Sequence, residues 1–151
     1  MSYNKKIADQ ICNLVSTLCN RFPYDKKLSL ARSTLTALKS HNSRKLTEFY
    51  ITQIYLKKNI NNITFIQLVK DRNIDFFLQD DKLEQGQEMA KSLNLGKNND
   101  EALLFIENLK NNWHELTQDE KEIIWTYFDV LNLLSEKYLT QQYLKEKSTE
   151  I

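Results

Sequence analysis

Apolar residues recur along this chain in steps of three and four, the spacing that lines one face of an α-helix. In "YNKKIADQICNLVSTLCNRF", Ile7, Ile11, Leu14, Val15, Leu18 and Phe22 share a side. Pro23 closes the segment, because the residue before a proline avoids the α region. "YDKKLSLARSTLTALKSHN" repeats the pattern with Leu28, Ala31, Leu35 and Leu38, and a polar break at "SHNS" offers Asn42 or Ser43 to start the next helix. That third helix, "RKLTEFYITQIYLKK", carries Leu46, Phe49, Tyr50, Ile54 and Leu56. The asparagines of "NINNIT" favour local turns. "FIQLVKDRNIDFFLQDDKLE" predicts a shorter helix or two, with Phe76, Phe77 and Leu78 as an apolar plug. The β-branched and aromatic residues of "ITFIQLV" leave a strand open there, although no second segment of similar quality could pair with it.

The pattern continues in the second half. "KLEQGQEMAKSLNLG" reads as a helix closed by Gly96, which adopts the left-handed conformation with little strain. "DEALLFIENLKNNW" has acids in its first turn, where the helix dipole favours them, and a stripe of Leu103, Ile106, Leu109 and Trp113. Thr117 and Glu120 then fit a capping box, each side chain serving the other's backbone amide. From there helix propensity is good to about Lys147. Ile124, Phe128, Leu131, Leu134 and Tyr138 line this helix, and Trp125 and Tyr127 widen its apolar face, as expected of a central helix touched on several sides. Trp113 and Trp125 flank the turn between the last two helices, so they are placed to meet as the clasp of an αα-hairpin. The whole pattern predicts an all-α bundle of five to seven helices, a single domain over residues 1–147 with a long C-terminal helix and a frayed tail at 148–151.

Composition agrees with that reading. A chain of 151 residues suits one domain, and its 41% hydrophobic and 11% aromatic content argues for a packed core. Two glycines and one proline are too few for many tight sheet turns. No apolar run nears the length of a membrane span. The start, "MSYNKKIADQICNLVSTLCN", opens like a secretory signal, but Asp9, Gln10 and Asn13 interrupt its apolar stretch and no small-residue cleavage site follows. An intracellular, cytoplasmic helix is the expectation. Cys12 and Cys19 share a helix face, yet their Cα atoms would stand roughly 10 Å apart. That is too far for a disulfide, so two buried free thiols are expected.

Charge changes the picture more. Residues 1–72 hold 13 Lys and Arg against 4 Asp and Glu, a net of +9; residues 73–151 hold 8 against 16, a net of −8. Lys26, Lys27, Arg32 and Lys39 lie on the polar side of the second helix, and Arg44, Lys45, Lys57 and Lys58 bracket the third. If those faces adjoin, they form a positive patch for phosphates or an acidic partner. Lysine outnumbers arginine, which does not suggest bidentate base readout. The rival reading is that the two oppositely charged halves complement each other, across the fold or between copies.

Candidate chemistry is sparse. His114 adjoins Glu115, but neighbours on a helix end do not face each other. His41 suits a helix C-terminus. Asp80–Asp81 and "DDKLEQGQE" lack the alternating acids of a calcium loop. No phosphate loop, dinucleotide fingerprint, nucleophile elbow or zinc-protease motif is present. The expectation is therefore a protein without enzymatic activity, with no catalytic, cofactor-binding or metal-binding residues.

Four pieces of the chain carry a resemblance. They are Phe49 and Tyr50 in "EFYITQIYLKKNI"; Asp75, Phe76, Phe77 and Leu78; Trp113 with Leu116; and Ile124, Trp125, Tyr127, Leu131 and Leu134 in "IWTYFDVLNLLSEKY". In this order they resemble small helical proteins of the nucleocytoplasmic large DNA viruses, over roughly residues 46–139. "NINNITFIQLVKDRN" departs from that pattern, where a shorter, more charged link is expected, and "KSLNLGKNND" has no counterpart in it. The resemblance implies a helical protein of a cytoplasmic large DNA virus and transfers no catalytic residue. The expected function is a non-enzymatic helical interaction protein with a protein partner, as a viral structural or host-interacting component of cytoplasm or virion. Self-association into a homo-oligomer stays open. The alternative is a nucleic-acid-binding accessory protein using basic residues 1–72.

Overall fold

Four of the described helices begin where the sequence supplies a cap. The computed structural model describes residues 2–58, 61–74 and 104–149. Helix α1 runs Tyr3–Arg21 behind Ser2. Helix α2, Lys26–Tyr50, starts where the Asp25 carboxylate accepts from the Leu28 amide at 3.0 Å. Asn42 leaves the helical conformation inside α2 (φ −163°, ψ 87°), and its Oδ1 accepts from the Lys45 amide at 3.1 Å. The expected break at "SHNS" is thus present as a kink, with Asn42 capping the helical segment that follows. A π-helical turn, Ile51–Tyr55, continues α2 and buries Ile51, Gln53, Ile54 and Tyr55.

Helix α3, Phe65–Lys70, is capped by the Thr64 hydroxyl, which accepts from the Gln67 amide at 3.2 Å. This corrects the strand alternative for "ITFIQLV": Phe65, Leu68 and Val69 bury one helical face. The extended backbone there is reduced to a lone bridge between Lys58 and Thr64. Helix α4, Leu104–Asn112, passes through a 3-10 turn, Trp113–Glu115, into helix α5, Gln118–Thr149. The capping box forms in full: the Thr117 amide donates to Glu120 Oε1 at 2.9 Å and the Glu120 amide to Thr117 Oγ1 at 3.1 Å. Trp113 and Trp125 meet edge to face across that turn, ring centroids 5.2 Å apart, so the hairpin clasp is present.

The described residues are all-α, five helices with the longest at the C-terminal end and no named strand among them. Their buried side chains form one cluster. Ile7, Leu14 and Leu18 of α1 meet Leu28, Leu35 and Phe49 of α2, together with Phe105, Phe128 and Leu131 from α4 and α5. Phe65 of α3 stands edge-on to Phe128 at 5.4 Å. Each such large apolar side chain contributes about 1.5–3 kcal/mol by leaving water. Two expectations are corrected. Leu56 is exposed rather than core, because it stands two residues past buried Ile54 and so points to the opposite side. Cys19 is half-buried while Cys12 is buried, and both are free. Phe76, Phe77 and Leu78, the helix closed by Gly96, and Leu103 lie outside the described residues.

Candidate interaction surface

The Arg21–Glu120 ion pair and the Thr17–Tyr127 hydrogen bond hold α5 against α1 and leave the far side of α5 toward solvent. Residues two apart on a helix point about 160° apart. Phe128 and Leu131 are fully buried, so Thr126, Val130 and Leu133 must face outward. Ile123 is 51% exposed and Leu133 53% exposed, with Val130 between them. Leu144 lies on the same side nearer the C-terminus, fourteen residues past Val130 and separated from the strip by exposed Lys137 and Gln141. Ile123, Val130 and Leu133 thus form a second, partly exposed apolar stripe.

Beside it, α1 and α5 enclose a groove of about 590 Å³ lined by Gln10, Asp119, Glu122, Ile123, Thr126, Tyr127 and Val130. The Tyr127 hydroxyl and Thr17 Oγ1, 3.0 Å apart, tie the two walls together. A second hollow of about 270 Å³ extends it past Ile123 to Thr17, Leu18, Arg21 and Leu116. On the other flank of α5, Leu133 borders a pocket of about 190 Å³ with Tyr55, Ile66, Lys70, Asp129, Asn132 and Glu136. The groove lining is mostly apolar on the α5 side, and Asp119 and Glu122 are its charged members.

Below that second pocket lies a buried polar seam. The Tyr50 hydroxyl donates to Asn132 Oδ1 at 3.3 Å, and Thr47 Oγ1 donates to the Asn4 carbonyl at 3.0 Å. Complete burial pushes the Tyr50 phenol well above its usual range, with nearby Tyr55 adding to it. Burial likewise raises Tyr55, helped by Glu136. The side-chain amide of Gln53 and the Ser135 hydroxyl are buried without a hydrogen-bond partner among the described residues. Gln53 stands three and four residues past buried Tyr50 and Phe49, on the inner side of the π turn.

The structure disperses the eight basic residues. Lys39 reaches back to Asp9 of α1 at 3.0 Å, Lys27 meets Glu107 of α4 at 3.4 Å, and Arg44 pairs with Glu48 one turn on at 3.1 Å. Lys26, Arg32, Lys45 and Lys58 make no ion pair with a described residue, and all but the half-buried Lys45 are exposed. Lys57 is half-buried, which lowers its ammonium pKa by desolvation. Arg32 and Lys39, seven apart, share a helix face; Lys26 and Lys27 do not share it, and Asn42 interrupts α2 before Arg44 and Lys45.

The complementary halves do meet within one chain. Arg21 pairs with Glu120 at 2.6 Å, and Arg72 holds Asp129 with both terminal nitrogens at 3.0 and 2.9 Å and Glu122 at 2.8 Å. These contacts raise the Arg72 pKa, the Asp129 hydrogen bonds most of all. The Thr117 backbone amide, then Arg21, hold the Glu120 carboxyl below its usual value. With Lys27–Glu107, these pairs join basic residues of α1, α2 and the α3 end to carboxylates of α4 and α5.

His41 and His114 are both exposed. Among the described residues no three His, Cys, Asp or Glu side chains converge to hold a metal ion. No described helix is long and apolar enough to cross a membrane. No protein-family model, curated protein or solved structure matches this chain. Ile123, Val130, Leu133 and Leu144 escaped the sequence reading as surface residues. The signal for them was there: Ile123, Val130 and Leu144 fall on a seven-residue repeat, offset from the core stripe of Ile124, Phe128 and Leu131.

Proposed function

We propose that this chain is a non-enzymatic helical interaction protein that receives a protein partner along the outer face of α5. One observation carries the reading: Ile123, Val130 and Leu133 stay exposed in a row beside a groove, on a helix whose opposite face is fully buried. Contiguous exposed apolar surface is unfavourable in water unless something covers it part of the time. On the resemblance set out above, the setting would be the cytoplasm or virion of a large DNA virus.

The runner-up, nucleic-acid binding by residues 1–72, is less favoured because Lys27, Lys39 and Arg44 are engaged with carboxylates. Two measurements separate the readings. A panel of neutral, acidic and basic amphipathic helical peptides, with light scattering for self-association, should show an occupant of the α5 face that Val130→Asp removes. Binding of duplex or single strands at about 50 mM salt that weakens steeply with added salt, and falls in Arg32→Ala/Lys45→Ala, would put the runner-up first. If no peptide, no second copy and no nucleic acid binds, the interaction reading fails.

A further inference from the structure

The α5 groove has a shape and a charge, and together they specify its occupant. We infer that it receives an amphipathic helix of a partner protein whose apolar ridge is bordered by lysine or arginine, an inference that rests on the interaction reading above. Two packed helices leave a furrow into which the side-chain ridge of a third can settle. Ile123 and Val130 stand seven residues apart, about 10 Å along the helix, the repeat of a ridge spaced in heptads. The α1 wall contributes Gln10, a neutral amide that tolerates the polar edge of an incoming helix.

Charge selects among the helices that would fit. Asp119 and Glu122 are the charged residues of the groove lining, and no basic side chain lies among them. Asp119 is exposed and makes no ion pair with a described residue. Glu122 shares Arg72 with Asp129, so one guanidinium answers two carboxylates. Seven residues beyond Asp129, the exposed Glu136 extends the same flank. A helix with acidic borders would meet these groups as like charges, and one with basic borders would pair with them. The same row argues against a second copy of this chain. An antiparallel two-fold pairing of α5 centred near Asp129 sets this flank against the same flank of the other copy, bringing Asp129 toward its own image and Glu122 toward Glu136 of that copy.

The test uses the full chain and two labelled synthetic peptides of about 18 residues, long enough for several helical turns. Both carry the same leucine ridge; one has lysine borders and the other glutamate. Fluorescence anisotropy at about 50 mM and about 300 mM salt reads their affinities. The lysine peptide should bind at least about tenfold more tightly than the glutamate peptide, with the gap shrinking at the higher salt. Ile123→Asp distinguishes seating in the groove from simple attraction to an acidic protein. It adds a carboxylate, so mere attraction would strengthen binding; a seated ridge should instead weaken about tenfold or more. Asp119→Lys should narrow the preference for the lysine peptide. Both positions are exposed, and unchanged circular dichroism checks that the variants fold.

Equal affinity for the two peptides, or tighter binding by Ile123→Asp, overturns the inference and leaves the interaction reading standing. If neither peptide binds but the chain forms a dimer that Val130→Asp dissolves, the occupant is a second copy, and again only the inference falls. If neither peptide binds, nor a neutral-bordered peptide with the same ridge, and the protein remains monomeric, both fall.

Discussion

Trp125→Ala tests the packing that orients α5 and hence everything on its outer face. Trp125 is 3% exposed and meets Trp113 edge to face at 5.2 Å, while the Arg72 guanidinium lies 5.9 Å from its ring centre. Truncating a buried indole removes its transfer free energy and leaves a cavity, together about 3–5 kcal/mol. The ring–ring contact accounts for about 0.5–1.5 kcal/mol of that sum. In a domain of this length each kcal/mol moves Tm by about 2–4 °C, so the variant should melt about 6–20 °C below the parent. Thermal unfolding followed by far-ultraviolet circular dichroism gives the number. The remaining Trp113 should also show red-shifted fluorescence, because its ring loses its cover. A double-mutant cycle with Trp113→Ala should return a coupling of about 0.5–1.5 kcal/mol, the pair costing less together than the sum of the singles. A Tm change below about 2 °C, or strictly additive costs, would refute the clasp.

The other expectations follow from single contacts. Thr117→Ala removes the cap that accepts from the Glu120 amide and should cost about 1 kcal/mol in urea unfolding. Glu120 is held below its usual pKa when folded, first by the Thr117 amide and then by Arg21. Its contribution is therefore present above the unfolded value, about 4.3, and is lost as pH falls through the lowered folded value. Wild type should lead Glu120→Gln at neutral pH and converge with it in acid, and a constant gap down to about pH 3 would refute the linkage. Arg72→Met cuts the links to Asp129 and Glu122 and should cost about 1 kcal/mol, because the pairs are partly exposed; added salt should shrink the difference. Burial raises the thiol pKa of Cys12 and of Cys19. Alkylation of the folded chain should run slower than that of free cysteine, with Cys12 slower than Cys19; a free-cysteine rate at Cys12 would contradict its burial.

Much of the helical order could be read residue by residue, because the features that set it are local. Pro23, the Asn42 break, the Thr117–Glu120 box and the three-and-four spacing of Leu28, Leu35, Phe128 and Leu131 each act within one or two turns. Even the Trp113–Trp125 contact was legible, since only a short turn separates the two helices that carry them. The π turn was not, because "ITQIY" fits an α-helix equally well by propensity, and the choice depends on what the turn packs against.

The candidate surface was less legible. Periodicity placed Ile124, Phe128, Leu131 and Tyr138 on the buried face of the last helix, and they are buried, but it did not show whether Ile123, Val130 and Leu133 would be covered by another part of the chain. Charge segregation announced that basic and acidic halves could pair, but not that Arg21, Lys27 and Arg72 would make the pairs while Lys26 and Arg32 would not. The chain alone determined its helices and caps, because backbone hydrogen bonds and side-chain spacing act over a few residues. Only the tertiary structure decided that Ile123, Val130 and Leu133 keep facing water, because covering them would need residues distant in sequence to arrive on that side of α5 as well.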